Sequence, residues 1–168
     1  KEAGVDVCLS IGTKLETFAR VRETAARFDN VWCSVGVHPH EADKEPLTSA
    51  APLIALTKDS KVVGIGETGL DYYYDHSVHA SQATNFRAHI DAARQTGLPL
   101  IVHTRDAEDD TIAILRDEMA AGAFSGVLHC FTGTQALADA ALDLGFYISA
   151  SGIMTFKNAE PLRAVLKG

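Results

Sequence analysis

The ten residues from 62 to 71, VVGIGETGLD, constrain the fold of this chain more than any other stretch. The first four are apolar or glycine with no polar residue between them, which is typical of a strand buried on both faces of a parallel sheet. Glu67 follows them closely, and we expect the strand to stop there because Gly69 permits a sharp exit of the chain. The stretch therefore predicts a carboxylate at the carboxyl end of a buried parallel strand.

Two later stretches repeat this pattern with histidine in place of glutamate. Residues 98–102 form an apolar run that ends in His103, and residues 126–128 form one that ends in His129. The carboxyl ends of parallel strands converge on one mouth of an α/β sheet or barrel, where ligands bind. Glu67, His103 and His129 together predict a divalent-metal site, whose imidazoles favour Zn²⁺ or Mn²⁺ over the all-oxygen coordination of Mg²⁺. We interpret the chain as a metallohydrolase.

Apolar runs and amphipathic segments alternate along the whole chain. The six predicted strands cover residues 5–11, 31–37, 62–65, 98–102, 126–128 and 146–149. Helical spacing of apolar residues marks the segments around 15–28, 53–56, 86–93, 112–119, 134–144 and 158–167. This alternation predicts βα units and a parallel sheet. Because neither GxGxxG after the first strand nor GxxxxGK[ST] is present, a partial (β/α)₈ TIM barrel is favoured over a doubly wound sheet.

Size and charge limit the choices further. The 168 residues are enough for one domain, spanning 1–168, with a sizeable core. A net charge of −7 gives no field that attracts polyanions, so any binding of nucleic acid must rely on local cations or bound metal. No apolar run approaches the roughly 20 residues of a membrane helix, and no secretory signal is visible. The three cysteines Cys8, Cys33 and Cys130 lie in apolar runs, which predicts reduced core residues and a cytoplasmic location.

Further candidate residues follow the predicted strands. His38 and His40 in GVHPH come just after the second strand, where both point towards the mouth. Arg105 lies two residues beyond His103 and has two interpretations. It binds an anionic substrate by a bidentate contact, or it pairs with Glu67 or Asp106.

The remaining polar residues near the strand ends have other interpretations. The Gly133-Thr134 turn, which enters a helix, offers backbone N–H groups as an anion site. Asp71 is interpreted as the anchor of the Tyr72–Tyr74 loop, too far beyond its strand to serve the site. We expect three further histidines on the surface, namely His76, His79 and His89.

The ordered motifs GVHPH, GETGLD, IVHTRD, HCFTGT and YISASGIMTFKNAE resemble the TatD-type metal-dependent deoxyribonucleases, a branch of the amidohydrolase-like barrels. The resemblance covers nearly the whole chain. It implies that His103 and His129 bind metal, and that Glu67 is the catalytic residue and bridges two divalent ions (Mg, Mn or Zn). It also implies that His38 is a substrate-side residue and that the substrate is DNA, cleaved at phosphodiester bonds with exonuclease activity.

Two parts of the family pattern are absent from residues 1–168, namely an N-terminal strand with His-x-His and a late strand with a metal-binding Asp. We therefore expect an incomplete barrel, with open strand edges that favour self-association, and little activity for these residues alone. Two alternatives remain open. One is a C–N hydrolase or deaminase on the same barrel, although such enzymes commonly use a lysine-derived carboxylate at the position of Glu67. The other is a truncated, non-catalytic scaffold.

Overall fold

A computed structural model describes residues 4–167 and contains one sheet of six parallel strands. The strands follow one another across the sheet in chain order: β1 (Cys8–Ser10), β2 (Val31–Val35), β3 (Val62–Asp71), β4 (Leu100–Arg105), β5 (Gly126–Leu128) and β6 (Tyr147–Ile148). Within the described part of the chain, β1 and β6 each pair on one side only. The predicted parallel α/β architecture is confirmed.

Six helices connect or follow the strands: α1 (Phe18–Ala26), α2 (Ala51–Leu56), α3 (His79–Thr96), α4 (Glu108–Ala121), α5 (Gln135–Asp143) and α6 (Glu160–Val165). Short 3₁₀ turns cover Pro39–Glu41 and Gly152–Thr155. Gly97 ends α3 in the left-handed conformation, and the Thr134 side chain caps α5, as their residue types indicate. No helix within residues 4–167 has both the length and the apolar character needed to cross a membrane.

The core lies between the sheet and its helices, with β3 at its centre. Nine of the ten β3 residues are buried, and α3 packs across this strand. Phe86 and Ile90 on α3 are fully buried there, each contributing roughly 1.5–3 kcal/mol by removal from water. Glu67 is therefore carried by a strand that is buried over almost its whole length.

The predicted end of the third strand is wrong, because β3 continues past Glu67 to Asp71. Its pairing with β4 shifts register between Ile65 and Thr68 and then resumes, with Gly69 opposite His103. Gly69 has φ +138°, and a Cβ there would overlap the carbonyl oxygen of His103. Glycine at this position thus permits close approach of two strands rather than an exit of the chain.

His89 is not on the surface but fully buried in α3. Its Nε2 accepts a hydrogen bond from the Val37 N–H at 2.9 Å, and its Nδ1 donates to the Asn85 carbonyl at 2.7 Å. The charged form is disfavoured because the ring is buried, which lowers the pKa of His89 to about 4. His89 therefore joins helix α3 to the backbone that follows β2.

The cysteines depart from expectation in two cases out of three. Cys33 on β2 is buried, as predicted. Cys8 is exposed because its strand β1 lies at an edge of the sheet, and Cys130 is exposed because it leaves β5 in a left-handed turn with φ +46°. Apolar neighbours in the sequence were therefore a poor guide to burial at these two positions.

Candidate functional site

Polar side chains from four neighbouring strands, or from the residues just after them, meet at the carboxyl-terminal end of the sheet. Glu67 and Asp71 come from β3, and His103 comes from β4. His38 lies three residues beyond the end of β2, and His129 directly follows β5. The sequence places Glu67, His103 and His129 together, and the structure brings those three into contact and adds His38 and Asp71.

Glu67 lies at the centre of this group and is only 9% exposed. Its Oε1 is 3.0 Å from Nδ1 of His129 and 3.3 Å from Nδ1 of His103. Burial would raise the pKa of Glu67, but hydrogen bonds with His103 and His129 outweigh it and hold that pKa well below its usual range. The Glu67 N–H donates to the Gly12 carbonyl at 2.8 Å, which fixes the backbone of this residue. The site is thus built around a carboxylate that is ionised at neutral pH.

His103 lies between two carboxylates. Its Nδ1 faces Glu67, and its Nε2 is 2.9 Å from Oδ2 of Asp71. Burial would lower the pKa of His103, but the hydrogen bonds to Glu67 and Asp71 outweigh burial and raise it. Both ring nitrogens are therefore held in fixed directions.

Asp71 is fully buried and belongs to the site, so its assignment to the loop alone is wrong. Oδ1 accepts hydrogen bonds from the backbone N–H groups of Tyr73 (3.1 Å) and Tyr74 (3.0 Å), which is the loop anchor that we expected. Oδ2 is 2.9 Å from Nε2 of both His40 and His103. Burial would raise the pKa of Asp71, but these bonds, led by the one from Tyr74, lower it to about 2. The residues just before Asp71, Glu67 to Leu70, are not an uninterrupted apolar run, so no local sequence signal indicated that β3 reaches Asp71.

His38 approaches the same centre from β2. One ligand atom each from His38, Glu67 and His103 lies within 4.8 Å of the others. Burial and the neighbouring His103 lower the pKa of His38 to about 4, so its imidazole is neutral at pH 7 and has a lone pair to offer. His129 contacts the same Glu67 oxygen as His103. The family resemblance implied a substrate-side role for His38, and its position also suits a metal ligand.

This donor set fits a divalent metal ion. Imidazole nitrogens beside an ionised carboxylate are the ligands that Zn²⁺ and similar transition-metal ions prefer, and the neutral ring of His38 can offer its lone pair directly. Asp71 behind His103 supplies the carboxylate that commonly orients a metal-binding histidine. His38, Glu67 and His103 form the candidate triad, and His129 contacts the same oxygen of Glu67 as His103 does.

Arg105 ends β4 with an exposed side chain. Its guanidinium carbon lies 4.3 Å from the ring centre of Tyr73 and 5.7 Å from that of Tyr74. Among residues 4–167 it forms no salt bridge, so the alternative pairing with Glu67 or Asp106 does not occur. A cavity of about 300 Å³ lies beside it, between the ends of β4 and β5.

The predicted anion site at the Gly133-Thr134 turn is wrong. Oε1 of Glu108 accepts the Thr134 N–H at 3.0 Å, and Oε2 accepts the Thr134 hydroxyl. A carboxylate of the chain itself therefore occupies the donors that an anion would need.

A parallel barrel-type sheet with histidine and glutamate gathered at its carboxyl-terminal end is the arrangement of the metal-dependent hydrolase class. The family model described as TatD related DNase matches residues 1–168. The chain belongs to this TatD family.

Curated relatives agree with that assignment. The chain is 46% identical over 165 residues to the metal-dependent hydrolase YcfH of Escherichia coli strain K12, covering 97% of this chain and 61% of that protein. It is 39% identical over 170 residues to a protein of Edwardsiella piscicida named 3′-5′ ssDNA/RNA exonuclease TatD, covering 99% of this chain and 64% of the relative. The chain thus spans less than two thirds of the length of these relatives.

Solved structures share the fold. The crystal structure of YjjV, a TatD homologue from Escherichia coli K12, superposes with a TM-score of 0.87 at 29% identity, over 98% of this chain and 64% of that one. A TatD family hydrolase from Entamoeba histolytica gives a TM-score of 0.81 at 24% identity, over 99% and 57%. The six strands therefore form part of a TIM-type barrel, as the sequence predicts.

Proposed function

We propose that the protein is a metal-dependent nuclease that hydrolyses phosphodiester bonds of DNA and acts as an exonuclease. One observation carries the proposal: a single oxygen of buried Glu67 faces His103 and His129 together. Family membership and the exonuclease name of the Edwardsiella relative support the choice of nucleic acid as substrate.

Each residue has a role in this proposal. Glu67 acts as the catalytic carboxylate, and Glu67, His103 and His129 would hold metal. The ions, two in the intact site and Mg, Mn or Zn in kind, would polarise a phosphoryl oxygen and lower the pKa of the attacking water. His38, neutral at pH 7, contacts the substrate side of the site. Arg105 contributes a cation for a phosphate at the edge of the mouth.

Replacement of Glu67 by Gln in the full-length protein tests the proposal. The amide keeps the size of the side chain but removes the charge that holds cations, so metal affinity and DNA hydrolysis should both fall at least about 100-fold. Metal-stripped protein reloaded with Mg²⁺, Mn²⁺ or Zn²⁺ is assayed on end-labelled DNA, and metal binding is followed by calorimetry.

Glu23→Gln is the matched control, because Glu23 is an exposed glutamate on α1. It should leave both metal binding and hydrolysis unchanged. Parental activity in Glu67→Gln, with the fold confirmed by circular dichroism, would contradict the role of this carboxylate. A parental protein that cleaves no nucleic acid with any of the three metals would contradict the substrate.

A further inference from the structure

An exposed aromatic and cationic surface lies at the rim of the mouth. It consists of Tyr73 and Tyr74, in the loop after β3, and Arg105 at the end of β4, and is named here the rim platform. Resting on the proposed nuclease function, we propose that the rim platform binds unpaired bases of a single-stranded nucleic-acid substrate by stacking.

The three side chains offer flat surface to solvent. Tyr73 and Tyr74 are 55% and 51% exposed, and their rings meet edge to face with centres 4.8 Å apart. The Arg105 guanidinium lies over Tyr73 at 4.3 Å. Aromatic rings and arginine planes are the groups on which proteins stack unpaired bases. A single exposed aromatic residue is common on any surface, whereas here two half-exposed rings and an arginine plane lie together.

The neighbouring Tyr72 shows what a packed tyrosine looks like in the same loop. Its ring stacks on His79 with centres 3.6 Å apart and planes at 12°, and its hydroxyl donates to Asp110 at 2.6 Å. Tyr72 is thus engaged on its face and at its hydroxyl group. Tyr74 has histidine neighbours as well, since its ring lies parallel to that of His76 with centres 5.8 Å apart and meets His40 edge to face at 5.3 Å. The difference is one of exposure: Tyr73 and Tyr74 keep about half of their surface in solvent, whereas Tyr72 is partly buried.

The rim platform is fixed relative to the metal-site residues. Asp71 accepts the backbone N–H groups of Tyr73 and Tyr74 with one oxygen, and its other oxygen contacts His103. One buried carboxylate therefore joins the backbone of the platform to a proposed metal ligand. A nucleic-acid strand cleaved at the site would pass beside these rings. Because the backbone of the platform is already held in place, binding would not incur the entropic cost of ordering it.

Charge does not explain the platform, so stacking must supply its affinity. The chain has a net charge of −7, and carboxylates of Asp106, Asp109 and Asp110 lie near Arg105 along the chain. Base stacking on aromatic groups is tolerant of sequence and contributes through the π faces of the bases. The bases of a duplex are already stacked and paired, so the platform should prefer single strands, and its contribution should depend little on salt.

Binding measured without cleavage tests the inference. Fluorescence anisotropy is recorded with full-length Glu67→Gln protein and three probes: a labelled oligothymidylate, an abasic strand of the same length, and a duplex. The oligothymidylate should bind about tenfold or more tightly than the abasic strand, with a ratio that changes little as salt increases. Equal affinity for the two strands would overturn the proposal without the need for any variant of the platform.

Variants then locate the effect. Combined Tyr73→Ala and Tyr74→Ala substitution should remove most of the preference for bases, whereas the corresponding Phe pair should retain it. Arg105→Lys keeps the charge but loses the plane, and should weaken oligothymidylate binding more than abasic binding. Tyr147→Ala is the control, since Tyr147 is 76% exposed but lies on β6, away from the rim platform. Unchanged base preference in the Ala pair would overturn the proposal.

The failure of this inference is distinct from the failure of the proposed function. A parental protein that hydrolyses single-stranded DNA while the Ala pair binds and cleaves equally well overturns only the platform. Base-dependent binding that disappears in the Ala pair supports the platform, even where no hydrolysis accompanies it.

Discussion

At the scale of single residues, Asp71 shows how one carboxylate serves two parts of the molecule. Oδ1 holds the backbone of the Tyr73–Tyr74 loop, and Oδ2 contacts His40 and His103. The two carboxylates raise the pKa of His103, so a metal ion that binds this ring would replace a proton. Because Nε2 stays bonded to Asp71, the nitrogen open to such an ion is Nδ1, the atom that faces Glu67.

His89 gives a prediction about pH at the same scale. Its pKa is about 4 in the folded protein against 6.5 ordinarily, so the unfolded chain binds the proton first. Its contribution to stability is fully present above pH 6.5 and is lost as the pH falls towards 4. His89→Gln, whose carbonyl can still accept from the Val37 N–H, should reduce the loss of unfolding free energy between pH 7 and pH 5 by about 2 kcal/mol.

Urea unfolding of the metal-free protein at the two pH values measures this difference. His79→Gln serves as the control, because His79 is exposed on the same helix. The same pH dependence in the His89 variant and in the parent would show that His89 does not remain neutral in the fold.

At the scale of helices and strands, the sequence predicted those features that are determined by residues close together in the chain. The apolar runs of the strands and the stops at Gly97 and Thr134 are such signals, and the structure follows them. The true end of β3 depends instead on its pairing with β4, a contact between residues more than thirty positions apart. The burial of His89 likewise could not be predicted from the sequence of α3 alone, because it depends on contact with Val37, which is 52 positions away in the chain.

The candidate site shows the same division. Glu67, His103 and His129 were found because each closes an apolar run, and parallel strands must align their carboxyl ends. The hydrogen bond from the Thr134 N–H to Glu108 was missed, since it joins the N-terminal ends of two helices, α4 and α5. The sequence therefore identified side chains at the ends of strands, and it missed a contact between helix ends that are far apart in the chain.

Gly69 provides the prediction for the β3–β4 pair. Gly69→Ala should destabilise the protein by roughly 3 kcal/mol or more, because alanine at φ +138° is strained and its Cβ would overlap the His103 carbonyl. Gly145→Ala is the control: Gly145 also has positive φ, but no atom lies within 4 Å of a Cβ there, so about 1–2 kcal/mol is expected. Denaturant unfolding measures the free energy of unfolding of both variants. Equal losses of stability in the two would show that β3 and β4 can move apart at Gly69 without a cost in free energy.

At the scale of the whole molecule, the sheet is buried in the middle and apolar at both edges. Leu9 on β1 is 43% exposed and Tyr147 on β6 is 76% exposed, and each strand pairs on one side only among residues 4–167. Unpaired strand edges with exposed apolar side chains are surfaces through which chains associate. Glu67 lies on the central strand β3, away from both edges, and is already buried within its own chain.

The last prediction concerns these edges. The 168-residue chain alone should self-associate as its concentration rises, because each edge offers unpaired backbone groups beside apolar side chains. Combined Leu9→Lys and Tyr147→Lys substitution should reduce that association, since a lysine on an edge strand opposes pairing with another chain. Phe28→Lys is the control, because Phe28 is 55% exposed but lies between α1 and β2 rather than on an edge strand. Sedimentation velocity over a range of concentrations measures the effect. A chain that stays monomeric throughout, or a Phe28 variant that dissociates as well as the edge variant, would show that the strand edges do not drive association.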